Sequence, residues 1–137
     1  MLDQLSVKNL VVVEDLNIEF LHGMTVITGE TGAGKSILVQ ALNLAIGGRS
    51  DAALVRNGKS KAEIIATFSL DGNQSIQSVL EDLDLEDSNE CILRRVIGSD
   101  GKSRSYVNGS NVTLSTLRDV GCHLIDMHGQ NEHQLLL

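Results

Sequence analysis

Gly29-Glu30-Thr31-Gly32-Ala33-Gly34-Lys35-Ser36 is the stretch on which the reading of this chain turns, because it satisfies the spacing GxxxxGK[ST] in full. Its flanks agree with the pattern. Met24-Thr25-Val26-Ile27-Thr28 is β-branched or apolar and too short for a helix, so it reads as a buried strand. From Lys35 to Ile46 the polar residues Ser36, Gln40 and Asn43 form one narrow stripe on an otherwise apolar helix, and Gly47-Gly48 supplies a stop. A strand, a glycine loop and a helix in that order let successive backbone N–H groups point at phosphate oxygens while the helix dipole adds positive potential. Gly29 to Gly34 would shape that cradle. Lys35 would place a point charge near the β- and γ-phosphates, and the Ser36 hydroxyl would hold Mg²⁺. The expected ligand is a nucleoside triphosphate, ATP or GTP, with magnesium.

Working outward, residues 4–9 and 15–20 read as two strands around a short turn, since Leu16, Ile18 and Phe20 alternate with Asn17 and Glu19. Residues 62–70 alternate again, and Ile76, Val79, Leu80 and Leu83 follow at helical spacing. Residues 91–97 and 103–107 are a hairpin joined through Ser99-Asp100-Gly101-Lys102, with a second turn at Asn108-Gly109. Leu114, Leu117 and Val120 predict a short helix ending at Gly121, and Cys122 to Met127 a last apolar strand. The expected fold class is α/β: a P-loop NTPase lobe with parallel core strands plus an antiparallel β-subdomain. There is no internal repeat and no linker, so residues 1–137 are expected to be one domain.

Composition narrows the function classes. A formal net charge of −7 repels a polyanion, so contact with nucleic acid requires a local basic patch. Arg94, Arg95 and Arg104 concentrate positive charge on the predicted hairpin and are the DNA-contact candidates, with pairing to neighbouring acids as the plainer alternative. Cys91 and Cys122 lie in apolar runs without CxxC spacing and are expected to be buried free thiols of a reducing compartment. The start MLDQLSVKNL lacks a secretory n-region, and no apolar run reaches the roughly 18 residues of a membrane span, so a cytoplasmic protein without membrane partners is expected. His128, Glu132 and His133 do not follow a known zinc spacing, and Asp126 is followed by Met127 where a catalytic Glu would be needed.

A phosphate loop does not name a reaction. The guanine-reading N/TKxD motif is absent, which favours ATP over GTP. Five segments, LSVKNLVVVEDLNIEF, TGETGAGKSILVQAL, GGRSDAALVRNG, RRVIGSDGKSRSYVNG and IDMHGQNEHQ, together resemble the RecN family, part of the structural-maintenance-of-chromosomes group of ATP-binding-cassette heads. That resemblance implies the N-terminal lobe of a head whose C-terminal lobe lies beyond a long coiled coil. It implies ATP and Mg²⁺ as cofactors, an ATP-dependent pairing with a second head, and DNA as partner in recombinational repair of double-strand breaks. It implies that Gln130 is the glutamine that reaches Mg²⁺ and the attacking water, against the plainer reading of a surface residue in a polar turn. It also implies that Arg56 reaches the γ-phosphate, with Arg49 as a nearby competitor and pairing with Asp51 or helix carbonyls as the alternative. No LSGGQ-like signature, hhhhDE segment or switch histidine is present, so efficient hydrolysis is not expected of these residues alone, and the apolar ending Leu135-Leu136-Leu137 suggests a lobe separated from its coiled coil. A free-standing P-loop kinase and an interaction module without nucleotide affinity are the two rival classes.

Overall fold

The computed structural model describes the backbone of residues 2–21, 24–29 and 34–128, and the side chains within 2–20 and 37–125. Seven strands make a single sheet in the order β3-β2-β1-β4-β5-β6-β7. In chain order they are β1 (Leu2–Leu10), β2 (Val13–Leu21), β3 (Met24–Gly29), β4 (Lys61–Ser69), β5 (Glu90–Gly98), β6 (Ser103–Val107) and β7 (Ser110–Val112). The helices are α1 (Gly34–Ala45), α2 (Gln74–Asp82) and α3 (Leu114–His128), with a single 3₁₀ turn at Ala52–Leu54.

The period-2 alternation becomes a two-faced sheet. Ala62, Ile64, Ala66 and Phe68 of β4 and Cys91, Leu93 and Ile97 of β5 are buried with the apolar sides of the helices in one core. Ile37, Ala41, Leu42, Leu44 and Ala45 bring α1 onto that face, where it packs against β4 and β5. Ile76 and Leu80 anchor α2, whose N-terminus is capped by the Asn73 side chain accepting from Ser75 N at 3.0 Å and Ile76 N at 3.2 Å. Leu117, Val120 and Leu124, three and four residues apart, anchor α3. The β5–β6 turn is held by Gly98 N donating to Lys102 O at 2.7 Å and by Gly101 at φ +87°, and Asn108-Gly109 at φ +49° and +85° makes the tight turn into β7.

Three expectations are corrected. Every described strand pair is antiparallel, so the parallel core is not found among these residues. A parallel neighbour for β3 would need a crossover returning to its side. The chain instead leaves α1, passes the 3₁₀ turn and enters β4 beside β1. Second, α3 does not stop at Gly121, and no strand follows it among the described residues: the helix runs on to His128. Gly121 serves close packing, since a Cβ there would meet the Ile46 side chain and carbonyl at 2.8 Å. Third, Cys122 is exposed because it turns away from the Leu117-Val120-Leu124 stripe, while Cys91 is buried as expected.

Two outcomes test these corrections. In a helix that merely tolerates glycine, Gly121→Ala stabilises by up to about 1 kcal/mol. The contact with Ile46 predicts destabilisation of about 1–3 kcal/mol by overpacking, read from chemical denaturation. Burial pushes the Cys91 thiol up to about 12, so a thiolate-specific reagent at mildly alkaline pH should modify Cys122 in the native protein and spare Cys91 until unfolding.

Candidate nucleotide site

Register places the glycine loop. Leu16 of β2 lies opposite Gly29 of β3, and Leu10 of β1 lies opposite Val13 of β2. The end of β3, the β1–β2 turn and the start of β4 therefore share one end of the sheet, since Lys8 pairs with Glu63. β3 stops at Gly29 and α1 opens at Gly34, leaving Glu30, Thr31, Gly32 and Ala33 as the intervening segment, which lies outside the described residues. Lys35 and Ser36 are the second and third residues of α1, and their side chains lie outside the described ones.

A helix start leaves its first N–H groups without intrahelical acceptors and carries about half a positive charge. The first turn of α1 contains no acidic residue to neutralise that charge. The strand end, the four-residue connection and the helix start free of acids together fit a triphosphate with magnesium: backbone amides for the phosphates, Lys35 as a charge and Ser36 as an oxygen donor. Gln130 falls outside the described residues, as do Glu132, His133 and the side chain of His128. Among the described residues no group of three or more His, Cys, Asp or Glu side chains could hold a metal ion.

The opposite end of α1 is closed with equal care. Gly47 N donates to Leu44 O at 3.2 Å and Gly48 N to Asn43 O at 2.7 Å, with Gly47 at φ +103°, the crossed pair of bonds that ends a helix on a left-handed glycine. Sequence reasoning found these glycines but missed the two guanidinium groups that grip the same turn. Arg95 Nη1 donates to Leu44 O and to Gly48 O, each at 2.8 Å, and Arg118 Nε donates to Gly47 O at 2.9 Å.

Arg56 stands at the same sheet end as the glycine loop. Its backbone N–H donates to Asn9 O at 2.8 Å and its Nη1 to Val12 O at 2.8 Å, tying it to the β1–β2 turn. The carboxylate of Asp51 accepts from Ala53 N at 2.8 Å and caps the 3₁₀ turn, so its described contact is local and not to Arg56 or Arg49.

The three hairpin arginines separate. Arg95 is 1% exposed and points into the core, which removes it from the DNA-contact candidates: as an odd-numbered residue of β5 it shares the face of Leu93 and Ile97. Arg94 faces the other way, with Nη2 at 2.7 Å from Glu63 Oε2 and its guanidinium 4.8 Å from the Tyr106 ring centroid. Arg104 lies on that same outer face, and there Lys61, Arg94, Lys102 and Arg104 line a concavity of about 270 Å³ that contains one acid, Asp100. Lys61 and Lys102 were not singled out by the sequence. They join the cluster because Lys61 pairs with Gly98 at the hairpin turn, a proximity that only strand register reveals.

No described helix is long and apolar enough to cross a membrane. A family model described as an AAA domain matches residues 4–134. The sequence is 50% identical over 137 residues to the DNA repair protein RecN of Vibrio cholerae and 44% identical over 138 residues to that of Bacillus subtilis. The alignments cover all of this chain but only 25% and 24% of those proteins, so the chain spans about a quarter of the length of the relatives it matches. Among solved structures, one described as the structural biochemistry of ATP-driven dimerisation and DNA-stimulated activation of SMC ATPases aligns with a TM-score of 0.65 at 23% identity, over 98% of this chain and 96% of its own. The recombination mediator protein RecF of the RecFOR pathway, described as RecF-ATPrS, aligns at 0.58 and 19% identity over 85% of this chain and 29% of its own. The strand order, the helix behind the glycine loop and the family match over nearly all residues lead to one statement: the chain belongs to the AAA domain family, with the fold of an SMC-type head and curated relatives that are RecN DNA repair proteins.

Proposed function

We propose that this chain is the ATP-binding N-terminal lobe of a RecN-like ATPase that acts in recombinational repair of DNA double-strand breaks. The observation that carries the reading is the placement of Gly29-Glu30-Thr31-Gly32-Ala33-Gly34-Lys35-Ser36 between the end of β3 and the start of α1. In that setting the amides from Gly29 to Gly34 hold the phosphates, Lys35 neutralises charge at the β- and γ-positions, and Ser36 with Gln130 holds Mg²⁺. Arg56, after the 3₁₀ turn, is tied to the β1–β2 turn at the sheet end where β3 finishes, a position from which one guanidinium stabilises charge building on the γ-phosphate. Mg²⁺ held there would supply charge neutralisation to the phosphates.

Hydrolysis is assigned to the whole protein, because the signature and Walker B segments are missing from this sequence. Those parts come from the C-terminal lobe of the same head and from a second head paired through ATP. The relatives' name supports the repair role, and the SMC-type fold supports the paired-head arrangement.

DNA contact is assigned to the outer face of β4, β5 and β6. Lys61, Arg94, Lys102 and Arg104 gather against two acids, Asp100 in the concavity and Glu63 paired with Arg94, on a chain whose net charge is −7, so the local balance there is positive against the bulk. Arg94 sits over the Tyr106 ring, 4.8 Å from its centroid, and a phosphate competes with Glu63 for its guanidinium.

Titration of Mg·ATP by calorimetry tests the first assignment. Lys35→Ala should weaken binding by about two orders of magnitude or more, since it removes a charge-assisted hydrogen bond to phosphate. Affinity equal to that of the unaltered protein would remove the reading. For the second, Lys102→Glu and Arg104→Glu in the full-length protein should weaken double-stranded DNA binding and lower the slope of log affinity against log salt by about one for each phosphate left without its cation. An unchanged slope in fluorescence anisotropy would place DNA elsewhere.

A further inference from the structure

We propose that Arg95 is a positioning residue for the phosphate loop, a strut from β5 that fixes the far end of α1 and thereby the direction in which its first turn meets the nucleotide. The inference rests on the reading of Gly29 to Ser36 as a nucleotide loop.

Arg95 is the only charged side chain among the buried residues described, at 1% exposure. Buried guanidinium groups are ordinarily matched by a carboxylate. Here the described partners are all neutral: Leu44 O and Gly48 O at 2.8 Å through Nη1, Ser50 Oγ at 3.2 Å and Ser103 Oγ at 3.4 Å through Nη2. Nε has no partner among the described residues. The negative charge that makes this burial tolerable is the partial charge at the C-terminus of α1, about half an electron on its last carbonyls. Arg118 of α3 adds a second cation at Gly47 O. Burial first, and then the Arg118 charge, lower the pKa of Arg95 from the usual guanidinium value.

This concentration of donors has no equivalent need in stability alone. The two glycine-turn bonds already close the helix end, and an apolar side chain at 95 would continue the Cys91-Leu93-Ile97 face without a desolvation penalty. What the guanidinium adds is direction. Its planar fork ties three separate segments, the α1 C-terminus, Ser50 beyond it, and Ser103 of β6, to one strand. α1 has 12 residues, about 18 Å of helix, and is a rigid lever between that tie and the loop at Gly34. Glycines make the seat tight: a Cβ at Gly47 would lie 2.4 Å from Arg118 Cγ, and one at Gly121 2.8 Å from Ile46. A small rotation allowed at the Arg95 end becomes a displacement of the amides that hold phosphate.

The test is Mg·ATP binding and ATP turnover by the full-length protein carrying Arg95→Met, Arg95→Lys or the double change Ser50→Ala with Ser103→Ala, at a temperature where thermal melting shows each variant folded. Arg95→Met should raise both Kd and KM for ATP about tenfold, with kcat reduced less, an effect smaller than the roughly 100-fold that a full 1 Å misplacement can cost. Arg95→Lys, which keeps charge but loses the fork, should fall between. A folded Arg95→Met with unaltered Kd and KM overturns the proposal, whatever its melting temperature. If that variant does not fold, the double serine change decides: about threefold weaker binding supports the strut, and unchanged binding overturns it. Unaltered protein that takes no Mg·ATP would overturn the nucleotide reading and this proposal with it, whereas weakened binding in Lys35→Ala alone would leave the first standing and sink the second.

Discussion

A helix that offers its N-terminus to a triphosphate must be held by something other than its ligand. The amides of the first turn gain nothing from the protein until phosphate arrives, so the register of α1 is set by its apolar side and its C-terminal end. Ile37, Ala41, Leu42, Leu44 and Ala45 supply the first constraint by packing on β4 and β5. The second is the cluster of Gly47, Gly48, Arg95 and Arg118, in which backbone carbonyls meet two guanidinium groups. The sheet is in turn shaped to receive this helix. β3 delivers the chain to one end, and β5, four positions across in the strand order and so about 19 Å away, receives α1 at the other.

That span explains why the sheet is antiparallel where a parallel core was expected. To tie both ends of α1 to one sheet, strands near β3 and strands near β5 must be joined without gaps. The meander β1-β2-β3 and the meander β4-β5-β6-β7 meet at the β1–β4 pairing to do so. The junction is reinforced off the ladder: Val11 N donates to Leu54 O at 2.7 Å, and Arg56 donates to Asn9 and Val12 carbonyls. Arg56 consequently has a structural contact with the β1–β2 turn, made by its backbone N–H and by one of the five guanidinium donors.

Much of this was legible because local pattern and global fold agree. The alternation in residues 62–70 and 91–97 became β4 and β5 with the expected faces inward, and Asp-Gly and Asn-Gly became the turns at Gly101 and Gly109. The flanks of the glycine loop were legible because its spacing fixes their context: the expected strand ends at Gly29 and the expected helix opens at Gly34. What failed was signal shared by two physical causes. Gly121 reads as a helix stop from sequence, yet the same residue is demanded by the approach of Ile46, a contact 75 positions away that no local window contains. Cys122 to Met127 is apolar enough for a strand, and only the three-and-four spacing of Leu117, Val120 and Leu124 identifies one continuous helix. Arg94 and Arg95 were indistinguishable as neighbours, although the pleat sends them to opposite faces and opposite duties.

A chain at −7 carries its dense acidic run, Glu81 to Asp87, at the end of α2 on the helical side of the sheet, where those acidic side chains are exposed and solvated. The outer face of β4, β5 and β6 gathers Lys61, Arg94, Lys102 and Arg104 instead. The outer face is not uniformly positive, since Glu63 pairs with Arg94 there, and the basic cluster is a local field that acts within a Debye length of about 8–10 Å. Net charge is a property of the whole chain, whereas the cluster of Lys61 in β4, Arg94 in β5, Lys102 in the turn and Arg104 in β6 is set by strand register. The hairpin that carries the basic concavity on one face carries the buried Arg95 on the other, so both depend on the same strand pairing.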